Sequence, residues 1–436
     1  MVEKMNYQVE LPVKYSVDVL VAGGGPGGFA AAVAAARKGQ KVLLVEAFGC
    51  FGGLGTAGMI PCYMPFTDGI NFIAAGIGKE IYDRLQVERR SKDVPHNAIP
   101  PEVLKRIYDA MALEAGFDFL FFTRVIGVEK EGEKLTRVVL SGKSGLFAAQ
   151  AKVFIDATGD GDLSVLAGAS YEKGDETGTM MPGTLCSFWS GVDVPNFAWG
   201  DQEGKLDQAF ADKVFTVEDR HLTGICPQGY DYGGGNIGHA FGVDGTDEAS
   251  MTVAMVEQRK RLMEYEYYYR NYVGGCENAE IVGTASMLGI RETRRIVCDY
   301  QLKVDDFISR AVFEDEIGRN AYPVDIHPKT TDPEAMAQFR KEHYAEYHYK
   351  PGESYGIPYG CMVVKGLDNL LVVGRSIWSD QKMQSSVRIM PACYLTGQAA
   401  GVAASLAKES DLRAISIKEL QKGLLELGAY LPNYKE

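Results

Sequence analysis

The clearest hydrophobic pattern lies near the start of the chain. Val17 to Ala22 is a short apolar run, read as a buried strand, and the glycine-rich stretch Gly23 to Gly28 follows at once. From about Gly27 to Lys38 the chain turns alanine-rich, which predicts a helix able to lie close to a sheet, with Gly39 as its C-terminal cap. Lys41 to Val45 reads as a second strand, and Glu46 stands at its end. Pro100 and Pro101 open a predicted helix that stops at Gly116. Strand-like pieces at 117–128, 135–141 and 146–155 follow, separated by polar or glycine-bearing turns, the pattern of a β-meander. Character changes near Pro182. The stretch to Tyr355 holds a glycine-bearing segment from Tyr230 to His239, a long helical run from Glu248 to Tyr269, and most of the histidines. The last helix opens on Ser416 and Glu419, a capping box.

Strand, glycine turn, helix and acidic strand end form an ordered set. Gly23, Gly25 and Gly28 fit G-x-G-x-x-G: a tight turn, close approach of a pyrophosphate, and close packing of helix on strand. Pro26 lies in the turn and Gly27 opens the helix, whose positive N-terminal end faces the phosphates, and Glu46 is placed to accept ribose hydroxyls. This context predicts a dinucleotide site. Gly233 to Gly235 lacks both a preceding apolar strand and a following alanine-rich helix, so it reads as a glycine-bearing loop and not a second nucleotide site.

Three further signatures resemble the superfamily of FAD-dependent oxidoreductases with a glutathione-reductase-like FAD domain. They are Gly52-Gly53 shortly after the acidic residue, the strand from Val153 into Ala157-Thr158-Gly159, and the strand from Leu367 to Gly374 followed by Arg388 to Ala392 and a final helix. Gly289 to Arg295, Tyr322 to His327, Gly374-Arg375 and Arg388 to Pro391 are similar to landmarks of a narrower bacterial family known simply as FAD-dependent oxidoreductases. The resemblance implies an α/β fold: a Rossmann-like FAD-binding domain, with a parallel sheet plus β-meander, interrupted by an inserted α+β substrate domain. The expected division is 1–181 with 355–436 for the FAD domain and 182–354 for the insertion. It implies FAD held without a covalent bond, with Val125 giving backbone contacts to adenine and Thr56 reaching the phosphate or flavin. Pro391 and Ala392 would open the helix that faces the flavin pyrimidine, and Arg388 would place positive charge there. Cys50 raises the possibility of a covalent tether, on thin grounds.

Candidate chemistry follows from the flavin's need for a proton partner. Among the histidines, His327 is favoured because it ends a family landmark and Asp325 is placed to orient it; His239 is a weaker candidate. His343 and His348 lie in a polar stretch that reads as helix surface. Arg291 and Arg294 are candidates to clamp a substrate carboxylate, together with Arg295 on one side of a helix; extended chain would instead pair Arg291 with Arg295. The tyrosines at 265, 267, 268, 269 and 272 read as a core or interface stripe. Hydroxylases of the hydroxybenzoate type carry an arginine where Ala167 stands and Gly-Asp where Gly374-Arg375 stands, so hydroxylation is disfavoured.

Composition adds limits. A chain of 436 residues with 46% apolar and 24% charged residues is long enough for two or three domains. Its net charge of −13 argues against nucleic acid or an anionic membrane as partner. The N-terminus has no leader pattern, and no run reaches the ~18 apolar residues of a membrane span outside the cofactor segment. Eight scattered cysteines form no C-x-x-C, so no metal is expected and the thiols fit a reducing cytoplasm. The expected activity is hydride transfer between flavin N5 and a small polar organic substrate, hydroxy or keto, enoyl or sugar-like. The alternatives are a flavin oxidase or monooxygenase, or the flavoprotein subunit of an electron-transfer assembly. The electron donor or acceptor is unidentified, and a homodimer is the default assembly.

Overall fold

The computed structural model describes residues 5, 8–89, 91, 94–332, 334–335, 339, 347–407 and 411–435. Among the described residues, seven strands build the main sheet. β1 (Val13–Ala22) lies at its centre, parallel to β2 (Val42–Val45) on one side and to β6 (Gly145–Asp156) on the other. β3 (Asp118–Leu120) extends the parallel set beyond β2. The free edge of β6 is shared. Its first half pairs antiparallel with β5 (Lys134–Gly142), which pairs with β4 (Arg124–Glu131); its last residues pair parallel with β15 (Leu370–Val372). The meander thus peels away, and a strand from far along the chain takes its place beside Asp156.

Helix α1 (Pro26–Arg37) follows β1 through the glycine turn and is buried along most of its length. α2 (Pro101–Ala115) begins at Pro101 and stops where Gly116 takes a left-handed φ of 72°. α1 packs on a second alanine- and glycine-rich helix near the C-terminus (Met390–Leu406). A Cβ on Gly397 would lie 2.0 Å from the Gly27 carbonyl oxygen, and one on Gly401 would lie 2.3 Å from that of Ala31. Only glycine permits helices this close, so the alanine and glycine pattern serves helix packing as well as the dinucleotide turn.

The second sheet belongs to the inserted region. Its order is β11 (Glu280–Thr284), β8 (Ser187–Ser190), β10 (Tyr232–Ile237) and β9 (Leu222–Pro227), all antiparallel. The long helix α3 (Glu248–Tyr272) covers it, with Tyr265, Tyr268 and Tyr269 packed against Trp189 in a separate core. Gly233 to Gly235, read from sequence as a loop, form the middle of β10. Side chains there would strike Cys226, Pro61 and Trp189, so glycine makes room for neighbours on both sides of the strand. Two short strand pairings tie residues of the expected insertion to the rest of the chain. β7 (Tyr171–Lys173) joins β12 (Arg294–Ile296), and β13 (Glu316–Asn320) joins β14 (Tyr355–Pro358). Residues from Leu302 to Ile326 pack into the core that surrounds α1. No helix among the described residues is long and apolar enough to cross a membrane.

Candidate functional site

The parallel strands end at a cluster of glycines. Gly23 has φ of 99°, and a Cβ there would meet the Ala157 carbonyl oxygen at 2.4 Å. A Cβ on Gly28 would lie 1.9 Å from the Gly23 oxygen. Gly25 is different: its backbone is ordinary, and a Cβ would meet nothing within 4 Å. It faces open space at the start of α1, where no side chain caps the first amides. Gly52 donates its N–H to the Gly24 carbonyl at 2.8 Å, and Gly53 lies against Gly25, so the second glycine pair completes the turn. Glu46 is buried beside it, accepting N–H groups from Gly24 at 2.6 Å and Phe48 at 2.8 Å. Burial raises its carboxyl above the usual range.

Ala157, Thr158 and Gly159 leave β6 at the same end. The Thr158 hydroxyl donates to Asp156 at 2.7 Å, and the Gly159 carbonyl accepts from Ser376 at 2.7 Å. Gly374 follows β15, and its N–H donates to the Thr396 hydroxyl at 3.0 Å. The helix α4 (Gln381–Val387) ends at Arg388, and α5 (Met390–Leu406) starts with Met390, Pro391 and Ala392. Its first turn abuts the first turn of α1 through Cys393 and Gly27. Two helix N-termini therefore meet at one glycine-lined space, a favourable place for phosphate and for an anionic ring. An open face at Gly25, an uncapped α1 and an unpartnered buried Nε on Arg388 fit a dinucleotide such as FAD. Val125 is a partly buried β4 residue opposite Leu140. Thr56 is fully buried, and its hydroxyl is held by the Phe51 carbonyl at 2.5 Å. Cys50 lies 3.8 Å from that hydroxyl.

Arg388 links this space to the insertion. Its Nη2 lies 3.1 Å from Asp325 Oδ2, which also accepts from Tyr322 at 3.0 Å and lies 3.5 Å from His327 Nε2. The other nitrogen of His327, Nδ1, stands 3.0 Å from His239 Nε2. His239 Nδ1 in turn lies 3.3 Å from Asp219, whose carboxylate accepts the backbone N–H groups of His221 and His239. Gly238, at φ 73°, ends β10 and swings His239 under α3, where Gln258 and Arg261 donate to its carbonyl. The result is a row, buried at Asp219, His239 and His327 and half-buried at Asp325 and Arg388.

Charge in this row is controlled by burial. Burial, followed by the Arg291 charge, holds His327 well below the ordinary imidazole value. Burial lowers His239 even though Asp219 opposes it, and burial with the neighbouring His239 pushes His221 down to about 3. Partial burial raises Asp325, yet His327 and Arg388 together hold its carboxyl far below the usual range. Arg291 itself is lowered to about 10 by burial and by Arg388. Near neutral pH the row thus holds neutral imidazoles between ionised carboxylates.

His221, His239 and His327 bring ring nitrogens within 4.8 Å of one another, spacing that a metal ion can use, although the cysteine pattern gave no reason to expect a metal. The rings of His221 and His239 are stacked, with centroids 4.2 Å apart and planes 15° from parallel. In-plane lone pairs of two such rings cannot converge on one ion unless a ring turns. The hydrogen-bonded row is the better description.

The arginines separate. Extended chain, not helix, carries Arg294 to Ile296 as β12, and only Arg291 reaches the histidines. Its guanidinium donates to the Pro182 carbonyl and the Thr184 hydroxyl. Arg294 turns to Asp162 at 2.7 Å and over the Tyr171 ring. Arg295 forms a buried pair with Glu292 at 2.6 Å. His343 lies outside the described residues. Tyr267 and Tyr272 line a separate surface cleft of about 330 Å³. Sequence reading did not single out Asp219 or His221. Their Asp-x-His spacing was the available signal, but β9, β10 and α3 lie between them and His327 along the chain.

The profile of the family described as FAD dependent oxidoreductase matches residues 18–424. No curated protein matches the chain. Among solved structures it is similar to a geranylgeranyl bacteriochlorophyll reductase-like protein from Thermoplasma acidophilum, at 15% identity over 95% of this chain and 83% of that one, with a TM-score of 0.46. It is also similar to a flavin-dependent brominase, at 11% identity over 94% and 83% of the two chains and a TM-score of 0.48. A p-nitrophenol 4-monooxygenase from Pseudomonas putida matches at 10% identity over 95% and 85%, with a TM-score of 0.43.

Proposed function

This chain belongs to the FAD-dependent oxidoreductase family, and on that premise we propose that it transfers a hydride between flavin N5 and a small polar organic substrate. The substrate class is a hydroxy or keto compound, an enoyl acid or a sugar derivative. FAD, bound without a covalent link, supplies the hydride acceptor or donor. Every other task falls to the chain. The glycine turn and Glu46 hold the dinucleotide, and Arg388 with the α5 N-terminus favours negative charge. Arg291 is a buried cation suited to a polar or anionic substrate group.

The observation that carries the reading is the join between Arg388 and His327 through Asp325. It ties the residue that ends the helix before α5 to a neutral imidazole able to take or give the proton that must accompany hydride transfer. An anaerobic visible titration of the holoenzyme with hydroxy acids, enoates, sugars, NADH and NADPH tests it. Bleaching of the flavin band by an organic compound alone supports the reading. Bleaching by NAD(P)H alone, or by none of them, contradicts it.

A further inference from the structure

We propose that Asp219, His239, His327 and Asp325 form a one-proton reservoir whose vacant place lies between His327 Nε2 and Asp325. The inference rests on the hydride-transfer reading and deepens it. It makes His239 and Asp219 positioning residues for His327.

The row has more places for protons than protons to fill them. Three junctions join the row: Asp219 to His239 Nδ1 at 3.3 Å, His239 Nε2 to His327 Nδ1 at 3.0 Å, and His327 Nε2 to Asp325 Oδ2 at 3.5 Å. Each junction needs one N–H. Neutral imidazoles carry one each, so two protons serve three places. Carboxylates stand at both ends, and no arrangement of the two neutral tautomers fills every junction. The longest of the three contacts, at Asp325, marks the empty one. Asp325 tolerates the vacancy because Tyr322 and Arg388 already donate to it. Among the described residues, Asp219 accepts from no side chain but His239, and otherwise from two backbone amides.

The resting tautomers follow. His239 donates from Nδ1 to Asp219, and His327 donates from Nδ1 to His239 Nε2, leaving His327 Nε2 bare toward Asp325. When a substrate loses a hydride and a proton, the proton enters this gap and bonds to His327 Nε2. The Nδ1 proton of His327 is then free to shift to His239 Nε2. The positive charge so formed lies between two carboxylates, and all three junctions are filled. Substrate reduction runs the same transfer backwards, emptying the gap. The charged groups facing the row are Arg291 and Arg388, with Arg261 at the His239 carbonyl; His221 stacks on His239 and Tyr322 faces Asp325. The cations and burial keep the resting row from holding the third proton, and the carboxylates make its arrival tolerable.

Nitrogen-15 NMR of histidine-labelled oxidised holoenzyme near neutral pH tests the count without any substrate. Expected are neutral His239 and His327, each protonated at Nδ1 with a bare Nε2. A proton on His327 Nε2, a doubly protonated ring in either residue, or stoichiometric transition metal bound at the histidines overturns the proposal. His239→Gln provides the second arm, because its amide oxygen accepts from His327 yet cannot take a proton. With a substrate found by the flavin titration, kcat is expected to fall about 10²-fold with KM within about twofold, and the pH profile to shift. An unchanged kcat and pH profile overturns it. If no organic compound bleaches the flavin, hydride transfer fails while the tautomers still decide the reservoir.

Discussion

His239 Nε2 lies 3.0 Å from His327 Nδ1, so two imidazoles from distant parts of the chain share a hydrogen bond in a buried site. Each ring has a carboxylate at its other nitrogen. On the proposed hydride transfer, His327 is the group that exchanges a proton with substrate. His327→Gln is therefore expected to slow flavin reduction by substrate about 10²- to 10⁴-fold while leaving the bound flavin's visible spectrum intact. Stopped-flow reduction under anaerobic conditions measures the rate.

Acid should destabilise the protein before it protonates Asp219 or Asp325. His221, His239 and His327 are held below the ordinary imidazole value in the folded state, His221 at about 3. The unfolded chain binds protons at these histidines near pH ~6.5, so stability falls as pH drops below that value. Asp219 and Asp325 are held low when folded, so their stabilisation persists until pH falls below the ordinary carboxylate range. His221→Gln should flatten the slope by up to ~1.4 kcal/mol per pH unit below pH ~6.5, read from unfolding free energies. An unaltered slope would contradict the burial argument.

Two glycine substitutions separate packing from cofactor binding. Gly28→Ala drives a Cβ onto the Gly23 carbonyl and should lower the melting temperature by several degrees. Gly25→Ala meets no protein atom, so it should melt as the wild-type apoprotein does yet bind FAD at least about 10-fold more weakly. Equal FAD affinity for Gly25→Ala would mean that its open face is not the cradle.

The buried arginines should also part company. Arg295→Met leaves Glu292 buried without its cation and is expected to cost about 3–5 kcal/mol of stability. The folded fraction should retain wild-type flavin reduction. Arg291→Met removes a cation beside the histidines and should change substrate KM or the pH profile. Steady-state kinetics and denaturation of both variants decide.

Much of this site is readable from sequence because the chemistry is local there. The turn Gly23–Gly28, Glu46 at the end of β2 and Gly52 bonded to Gly24 lie within one strand–helix–strand unit. The motif's spacing specifies their contacts. Asp325 beside His327 was legible for the same reason. The partnership of His239 with His327 was not, since it depends on how β10 of one sheet meets a segment that packs on the other domain. Gly233–Gly235 misled because glycine weakens a strand in isolation. Here the crowding of Trp189 and Pro61 excludes anything larger. Arg294 and Arg295 look equivalent to Arg291 in sequence; β12 turns them to acidic partners instead.

The most direct test of hydride transfer is single-turnover flavin reduction, without oxygen, by a reducing substrate identified in the titration. The substrate is used with hydrogen and then with deuterium at the reacting carbon. Slower bleaching is expected with deuterium, and a further slowing of both reactions in His327→Gln. Equal rates for the two isotopes across a range of concentrations, together with full activity of His327→Gln, would contradict it.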